Sequence, residues 1–240
     1  MLNVIITGAT RGLGLAMAER LLREDDYRVI AIGRRETPEL AALLTAHPDR
    51  LAFRSYDLAD LDGIQALVTG ITREFGALYG LVNNAAIGMD GVLATQHATD
   101  IARALRINLE SPIILTKYAC RSMLTKGCGR IVNVSSIIAS TGFNGLSVYG
   151  ATKAGLEGFT RSLSRELGRA RITVNCLAPG YMETDMTAGL QGEKLNSIRR
   201  RAPLGLPRPE DVASAAVYLL SKEAEMMTGA VMTVDGGSTA

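Results

Sequence analysis

Patterns typical of buried strands alternate with amphipathic helical patterns along the whole of this 240-residue chain. Such alternation indicates βαβ units and a parallel sheet, and right-handed crossovers then place helices on both faces of the sheet. We therefore predict an α/β fold with one doubly wound domain, residues 1–240, around a mostly parallel seven-stranded sheet. The predicted strands are residues 2–6, 28–32, 51–55, 80–82, 130–134, 172–176 and 231–234, and the predicted helices are residues 13–25, 37–46, 60–76, 98–126, 149–170 and 209–221.

Charge and hydropathy argue against nucleic-acid and membrane partners. The formal net charge is +2 and the longest basic tract is residues 199–201, which is too small for a nucleic-acid footprint. No apolar run reaches the roughly 18 residues that a membrane span requires. A glycine motif begins at residue 7, where a secretory signal would need its apolar stretch.

The cysteines and histidines are few and scattered. The three cysteines form no CxxC pair, which favours free thiols in a reducing compartment. His47 and His97 are too isolated to form a metal site. We therefore expect a cytoplasmic protein without a bound metal.

A glycine-rich segment, TGATRGLG at residues 7–14, separates the first predicted strand from the first predicted helix. Its glycines permit a tight turn and a close approach to a pyrophosphate, and the helix N-terminus offers N–H donors and a positive dipole. Its position at the start of a βαβ series favours a dinucleotide site over a plain βα turn. The expected contacts come from Gly8, Thr10, Arg11, Gly12, Leu13 and Gly14.

The residues after the second predicted strand indicate which dinucleotide binds. An acidic residue there selects NAD, whereas arginine favours the 2′-phosphate of NADP. Arg34 and Arg35 follow the strand, and Glu36 is the first acid. Arg11 adds positive charge, and arginine donors form a fork that suits phosphate. We therefore expect NADP(H); the alternative is that Arg34 and Arg35 are ordinary surface residues.

Polar residues also follow the third and fourth predicted strands. Asp57, with Leu58 beside it, is placed to accept a hydrogen bond from adenine. Residues 83–86 are placed to brace the sheet and to line the adenosine pocket through Asn84, Ala85 and Ala86. Their position at the carboxyl edge of the sheet favours cofactor binding, and loop capping is the alternative.

Tyr149 and Lys153 are four residues apart in a helical pattern and so share one helix face. An ammonium beside a phenol favours the phenolate, so we expect Lys153 to lower the pKa of Tyr149 from its ordinary value of about 10. The pair would then exchange protons near neutral pH. Alone, this spacing equally fits an amphipathic helix, but the glycine-rich segment supplies a redox partner and favours catalysis.

Residues 181–208 form the least regular stretch, with Gly189, Gly192 and Gly205. In a doubly wound fold this stretch follows the carboxyl end of a strand, where ligands bind. Two interpretations of this stretch are kept: a mobile lid over the ligand, or a plain long loop.

Together these motifs make the chain resemble the short-chain dehydrogenase/reductase family over nearly its full length. The resemblance rests on TGxxxGxG at 7–14, NNA at 83–85, Asn108 in Ile-Asn-Leu, Ser136, YxxxK at 149–153 and Pro179-Gly180. Within the family, residues 178–187, 209–213 and 228–237 are similar to those of 3-oxoacyl-acyl-carrier-protein reductases. The resemblance implies a Rossmann-type fold and NADPH-dependent reduction of a 3-oxoacyl thioester.

The resemblance also implies a catalytic tetrad of Asn108, Ser136, Tyr149 and Lys153. Tyr149 would donate a proton to the developing alkoxide, Ser136 would hydrogen-bond the carbonyl oxygen, and Lys153 would bind the nicotinamide ribose. Asn108 would hold a water that returns protons to Lys153, or it marks only a helix kink. Ser135 is the alternative to Ser136, because adjacent strand residues point to opposite faces.

The nicotinamide is expected beside Pro179, Gly180, Met182 and Thr184. Thr184 would bind the carboxamide, the alternative being that it caps a helix.

One departure from the family pattern concerns the substrate. The related reductases place basic residues beside the active-site mouth to dock an acidic acyl carrier protein, and we match two of these positions to Gly127 and Ala170. The flanking cations that would substitute are Lys126, Arg130, Arg169 and Arg171. A coenzyme A thioester or another ketone therefore stays open as the substrate.

Apolar residues extend beyond one narrow stripe on the helices predicted at 98–126 and 149–170, which suggests an interface. Examples are Ile113, Ile114, Leu115, Leu156 and Phe159. The resemblance implies a four-helix contact and a homodimer or homotetramer, whereas the alternative is that these helices only cover the sheet. Three functions stay open: a thioester reductase, a reductase or dehydrogenase of another ketone or secondary alcohol, and a catalytically silent cofactor-binding or scaffold protein.

Overall fold

A seven-stranded parallel sheet organises the residues that the structure describes. The structure is a computed structural model that describes residues 1–184 and 192–240, apart from the side chain of Lys194. The strands lie in the order β3-β2-β1-β4-β5-β6-β7, and every neighbouring pair is parallel. They are β1 (Leu2–Thr7), β2 (Tyr27–Gly33), β3 (Leu51–Ser55), β4 (Leu78–Asn83), β5 (Gly129–Val134), β6 (Ile172–Pro179) and β7 (Val231–Val234).

Each predicted strand lies within the strand observed, so the predicted α/β architecture is confirmed. The central strands β4, β5 and β6 are buried along their whole length. Strands of a parallel sheet are covered by helices on both faces, which is why they form apolar runs that the sequence reveals.

Helices cover both faces of the sheet and enclose two apolar cores. Met17 and Val212 belong to the core on one face, and Ile71, Leu115 and Leu163 belong to the core on the other. The helices are α1 (Gly12–Leu22), α2 (Pro38–Ala46), α3 (Ile64–Phe75), α4 (Ala98–Leu105), α5 (Ser111–Lys126), α6 (Ile138–Thr141), α7 (Ser147–Leu167), α8 (Glu193–Arg201) and α9 (Pro209–Leu220). Within the described residues, no helix is both long and apolar enough to cross a membrane.

The region 98–126 was expected as one helix, and the structure corrects this. A π-helical segment, Arg106–Glu110, separates α4 from α5. The short helix α6 and the helix α8 were not predicted, and α8 falls within the stretch expected to be irregular. Residues 185–191 of that stretch lie outside the described part of the chain.

A row of buried polar side chains connects the central strands. Asn83 pairs in register with Asn133, and Asn133 pairs with Cys176. Asn83 Nδ2 donates to Asn133 Oδ1 at 2.7 Å and to Thr116 Oγ1 at 2.9 Å. Asn133 Nδ2 donates to Thr160 Oγ1 at 2.8 Å, and that hydroxyl lies 3.1 Å from Cys176 Sγ. Asn83, the last residue of β4, therefore braces the sheet, as its position after the predicted strand suggested.

The order of the strands reverses between β1 and β4. From β1 the chain proceeds outward to β2 and β3, then returns to place β4 on the other side of β1. Loops diverge at such a switch point, and a crevice forms beyond the carboxyl ends of the strands.

Candidate active site

One cavity of about 870 Å³ occupies this carboxyl edge. That volume is within the usual range for small-molecule and cofactor sites. Its wall brings together nearly every residue that the sequence pointed to: Gly8, Thr10, Arg11, Gly12, Leu13, Gly14, Arg34, Asp57, Leu58, Asn84, Ala85, Ala86, Ser136, Tyr149, Lys153, Pro179, Gly180, Met182 and Thr184. Arg35 and Asn108, which were also predicted, do not line it.

The glycine-rich loop has the backbone shape that a pyrophosphate requires. Gly8 and Gly12 have φ values of 65° and 54°, a region that side chains disfavour. At Gly14 a Cβ atom would lie 2.2 Å from the carbonyl oxygen of Gly8. Helix α1 begins at Gly12 without an acidic residue in its first turn, so its N–H groups and positive dipole end suit an anion.

Asn84 and Thr7 hold this loop against the strand ends. The Thr7 hydroxyl accepts hydrogen bonds from the backbone N–H groups of Asn84 and Ala85, at 2.9 and 3.0 Å. Asn84 Nδ2 donates to the carbonyl oxygen of Thr7 at 2.9 Å. The NNA motif after β4 therefore positions the glycine-rich loop and also forms part of the cavity wall.

Arg34 and Arg35, which the sequence does not distinguish, differ in their position relative to the cavity. Arg34 and Arg35 are both exposed at the end of β2, but only Arg34 lines the cavity. Asp57 lines the cavity and also caps its own loop, since its Oδ1 accepts from Ala59 N at 3.0 Å. The structure is thus compatible with Asp57 as a cofactor-binding residue and with Asp57 as a loop-capping residue.

Tyr149 and Lys153 lie on the first turns of α7 and face the cavity. The Lys153 Nζ atom is 5.6 Å from the centroid of the Tyr149 ring. It donates a 2.7 Å hydrogen bond to the carbonyl oxygen of Val134, at the carboxyl end of β5. Among the described residues this carbonyl is the single hydrogen-bond acceptor that the structure gives the ammonium, so further donors face the cavity.

The structure corrects the expectation that Lys153 lowers the pKa of Tyr149. Burial raises the pKa of Tyr149, a hydrogen bond with Ser136 opposes this rise, and the charge of Asp90 adds to it. The Lys153 side chain is only 2% exposed, and its burial lowers its own pKa to about 8. Desolvation of both groups therefore outweighs their proximity, and Tyr149 is a phenol at neutral pH.

The two serines after β5 have different surroundings. The Ser135 hydroxyl is buried and donates to Glu157 Oε1 at 2.9 Å and to the Lys153 carbonyl oxygen at 3.3 Å. Ser136 is half-buried beside Tyr149, and its hydroxyl accepts from Ile138 N at 3.2 Å. Ser136 is thus the serine placed to contact a ligand beside the phenol.

Asn108 lies at the centre of the π-helical segment and is buried. Its Oδ1 accepts from Ile87 N at 2.8 Å, and its Nδ2 donates to Ile87 O at 2.9 Å. The same amide approaches Thr152 Oγ1 at 3.5 Å. Asn108 therefore binds the loop after β4 and contacts α7, the helix that carries Lys153. Its side chain positions these two elements and does not line the cavity.

The residues expected beside a nicotinamide begin at the carboxyl end of β6. A Cβ atom at Gly180 would lie 2.7 Å from Asp235 Cβ, so glycine lets the chain pass close to the turn after β7. Met182 and Thr184 line the cavity. The next helix described, α8, has Gly192 at its N-cap, so Thr184 does not cap that helix.

Sequence reasoning missed several residues of the wall. Asp90, Arg103 and Arg201 bring charge to the cavity, and Ser238 and Thr239 face it from the turn after β7. Those last two follow a strand at the carboxyl edge, so the rule that located Asp57 would have found them. The other three come from loops or helices whose orientation the sequence does not give.

The expected carrier-docking positions lie at the opposite edge of this chain. Gly127 and Ala170 precede β5 and β6, whereas the cavity lies beyond the carboxyl ends of these strands. Arg130 is buried there, donating to Ser221 O and Gly129 O and lying over the Tyr79 ring. Within this chain, Gly127 and Ala170 therefore lie away from the cavity, and Arg130 is not an exposed cation.

Comparisons with known proteins agree with this architecture. A family model described as enoyl-(acyl carrier protein) reductase matches residues 8–239. The chain is 38% identical over 236 residues to the 3-oxoacyl-[acyl-carrier-protein] reductase FabG of Vibrio cholerae, covering 97% of this chain and 95% of the relative. The chain belongs to the short-chain dehydrogenase/reductase family.

Other short-chain dehydrogenase/reductase proteins are about equally similar. FabG of Salmonella typhimurium is 37% identical over 236 residues, and carbonyl reductase family member 4 of Xenopus tropicalis is 39% identical over 233 residues. Each comparison covers 97% of this chain and 95% of the relative. The protein is thus a family oxidoreductase that uses a nicotinamide cofactor, and the relatives differ in the substrates their names imply.

Proposed function

We propose that this protein reduces a 3-oxoacyl thioester, linked to a carrier protein or to coenzyme A, with NADPH. The observation that carries the proposal is the single cavity in which the glycine-rich loop and the group of Ser136, Tyr149 and Lys153 meet. The similarity to FabG reductases supports the thioester as substrate.

The residues of the cavity fit a dinucleotide phosphate cofactor. The glycine-rich loop leaves space for a pyrophosphate at the N-terminus of α1, and Arg34 supports the choice of NADP, because it is exposed at the ribose end of the wall. Lys153 would bind the nicotinamide ribose through the donors that Val134 does not occupy. When bound, the reduced nicotinamide supplies the hydride that adds to the carbonyl carbon.

Tyr149 supplies the proton that completes this reduction. Hydride addition leaves negative charge on the carbonyl oxygen, and transfer of the phenolic proton to that oxygen gives the 3-hydroxyacyl product. Ser136 donates a hydrogen bond to the same oxygen and stabilises the developing charge. Lys153 stabilises the resulting tyrosinate through its ammonium group, which is half lost near pH 8.

The remaining wall suits an acyl group. Ile87, Ile138, Phe143 and Leu146 line the cavity around the Ser136–Tyr149 side. Apolar side chains stabilise an acyl group by removing it from water, while the polar atoms of Ser136 and Tyr149 fix the reacting carbonyl.

Reduction of another ketone is the second candidate function. The similarity to carbonyl reductase family member 4 of Xenopus tropicalis favours it, as does the absence of cations at Gly127 and Ala170. We also propose that the protein forms a homodimer or homotetramer through α5 and α7.

The decisive experiment follows NADPH consumption with acetoacetyl-CoA, longer 3-oxoacyl carrier-protein thioesters and simple ketones side by side. We expect turnover of the thioesters, and we expect Tyr149→Phe to lower kcat about 10²–10⁴-fold because it removes the proton donor. NADPH binding, measured by fluorescence, should be retained.

Tyr218→Phe is the matched control, because Tyr218 is exposed on α9 and does not line the cavity. It should have wild-type turnover. Turnover of simple ketones alone would favour the second candidate, and no turnover of any substrate would favour a catalytically silent cofactor-binding protein.

A further inference from the structure

The cationic side chains of the cavity wall lie on several different elements of the fold. Among the described residues, its wall has five cationic side chains and two acidic ones, Asp57 and Asp90. Arg11 and Arg34 lie at the cofactor end, and Lys153 is buried beside Tyr149. Arg103 and Arg201 are the other two cations of the wall.

Arg201 lines the part of the cavity that is far from Arg34. Its helix, α8, follows β6, whereas Arg34 follows β2. Four strand spacings separate β2 from β6 in the sheet, so the ends of these strands are about 19 Å apart. A cofactor phosphate held near Arg34 is therefore far from the part of the wall that α8 forms.

The three arginines at the end of α8 have different partners. Arg199 is paired with Glu183, and Arg200 Nη2 is 3.8 Å from Glu193 Oε1. Arg201 forms no ion pair with any residue in the described ranges 1–184 and 192–240. It lies one turn beyond Ile198, which is 8% exposed, and both residues line the cavity.

The helix dipole does not account for this arrangement. Arginines in a last turn interact favourably with the carboxyl end of a helix, and that explanation applies equally to Arg199, Arg200 and Arg201. It does not explain why the arginine on the cavity wall is the one without a carboxylate partner. An exposed cation at the rim of an apolar cavity instead suits an anionic group that stays hydrated while the rest of the ligand enters.

We propose that Arg201 binds the phosphate of the substrate's pantetheine arm. The inference rests on the proposed function, because a 3-oxoacyl thioester of coenzyme A or of a carrier protein carries its acyl group on a phosphorylated pantetheine. The proposal gives α8 a role in binding the substrate. Gly127 and Ala170, the expected docking positions, lie at the opposite edge of the sheet and do not have this role.

The test compares two substrates that differ by one phosphate, acetoacetyl-phosphopantetheine and acetoacetyl-pantetheine. Arg201→Gln should raise KM for the phosphorylated substrate about fivefold, as expected for an exposed ion pair of about 1 kcal/mol. KM for acetoacetyl-pantetheine and kcat for both should stay at wild-type values. Arg201→Lys should retain part of the preference, and added salt should weaken it in the wild type.

Arg200→Gln is the matched control, because Arg200 is the neighbouring residue on the same helix and does not line the cavity. It should leave both KM values unchanged. If Arg201→Gln raises KM equally for both substrates, or for neither, the inference is overturned while the proposed function stands. If neither thioester is reduced by the wild type, the proposed function itself fails.

Acetoacetyl-CoA and acetoacetyl-carrier protein then distinguish the source of the phosphate. If Arg201→Gln raises KM more for one of these two thioesters, that thioester is identified as the ligand of Arg201. No effect on either would contradict the proposal.

Discussion

Lys153 and Tyr149 show that spacing along a helix does not determine a pKa. The sequence correctly predicted that the two side chains would be close, and the Nζ atom lies 5.6 Å from the ring centroid. It did not predict burial, which raises the pKa of the phenol and lowers that of the amine to about 8. Burial depends on how α7 packs against β5 and β6, and periodicity does not contain that information.

Arg34 and Arg35 provide a test of cofactor selection at single residues. The sequence gives no reason to separate them, whereas only Arg34 lines the cavity. We expect Arg34→Ala to lower the ratio of kcat/KM for NADPH to that for NADH about tenfold, because a hydrogen-bonded charge on the 2′-phosphate is lost.

Arg35→Ala is the paired variant and should leave this ratio unchanged. Equal effects of the two substitutions would mean that the 2′-phosphate is bound elsewhere than at Arg34.

The strand–loop–helix unit of β1 and α1 was apparent in the sequence, although α1 ends at Leu22 and not at residue 25. Three glycines within a short segment have a local cause, because the turn needs positive φ values and close backbone contact. The break between α4 and α5 was not apparent, because one extra residue in a helical turn hardly disturbs the apolar periodicity. At this break the side chain of Asn108 bonds to the backbone of Ile87, which is distant along the chain. The sequence pattern does not reveal such a contact.

Gly14 tests how tightly this unit is built. A Cβ atom there would lie 2.2 Å from the Gly8 carbonyl oxygen, so Gly14→Ala should lower the free energy of unfolding by about 1–3 kcal/mol. Denaturant titration measures this change.

Gly70→Ala is the control within another helix. Gly70 is exposed in α3, and a Cβ atom there meets nothing within 4 Å. This substitution should raise the free energy of unfolding by about 0.5–1 kcal/mol. The same change at both positions would contradict the close contact at Gly14.

For the whole molecule, the parallel sheet and its two layers of helices followed from the alternation of elements, but the division between core and outer surface did not. Leu115 and Leu156 were expected at an interface, and both are 1% exposed within this chain. Ile113 and Leu124, on the outer side of α5, are 36% and 46% exposed. The proposed interface therefore has fewer apolar residues than the sequence suggested.

Assembly is tested by the mass of the protein in solution. We expect a multiple of the 25.5 kDa chain, and we expect Ile113→Lys to shift the mass toward the monomer because it places a charge on the face of α5. Met226→Lys is a control at a residue that is 92% exposed and outside α5 and α7. A monomeric wild type would contradict the proposed assembly.

The row of polar side chains from Asn83 through Asn133 to Cys176 fixes how far each central strand can slide along its neighbour. Displacement by even one residue would leave these amides facing apolar side chains, and the penalty for such burial is high. The tips of β4, β5 and β6 are consequently held level with one another. Ser136 directly follows β5, and Lys153 is bonded to Val134 at the end of the same strand. Their height above the sheet therefore depends on amides and a thiol that lie beneath the cavity and do not line it.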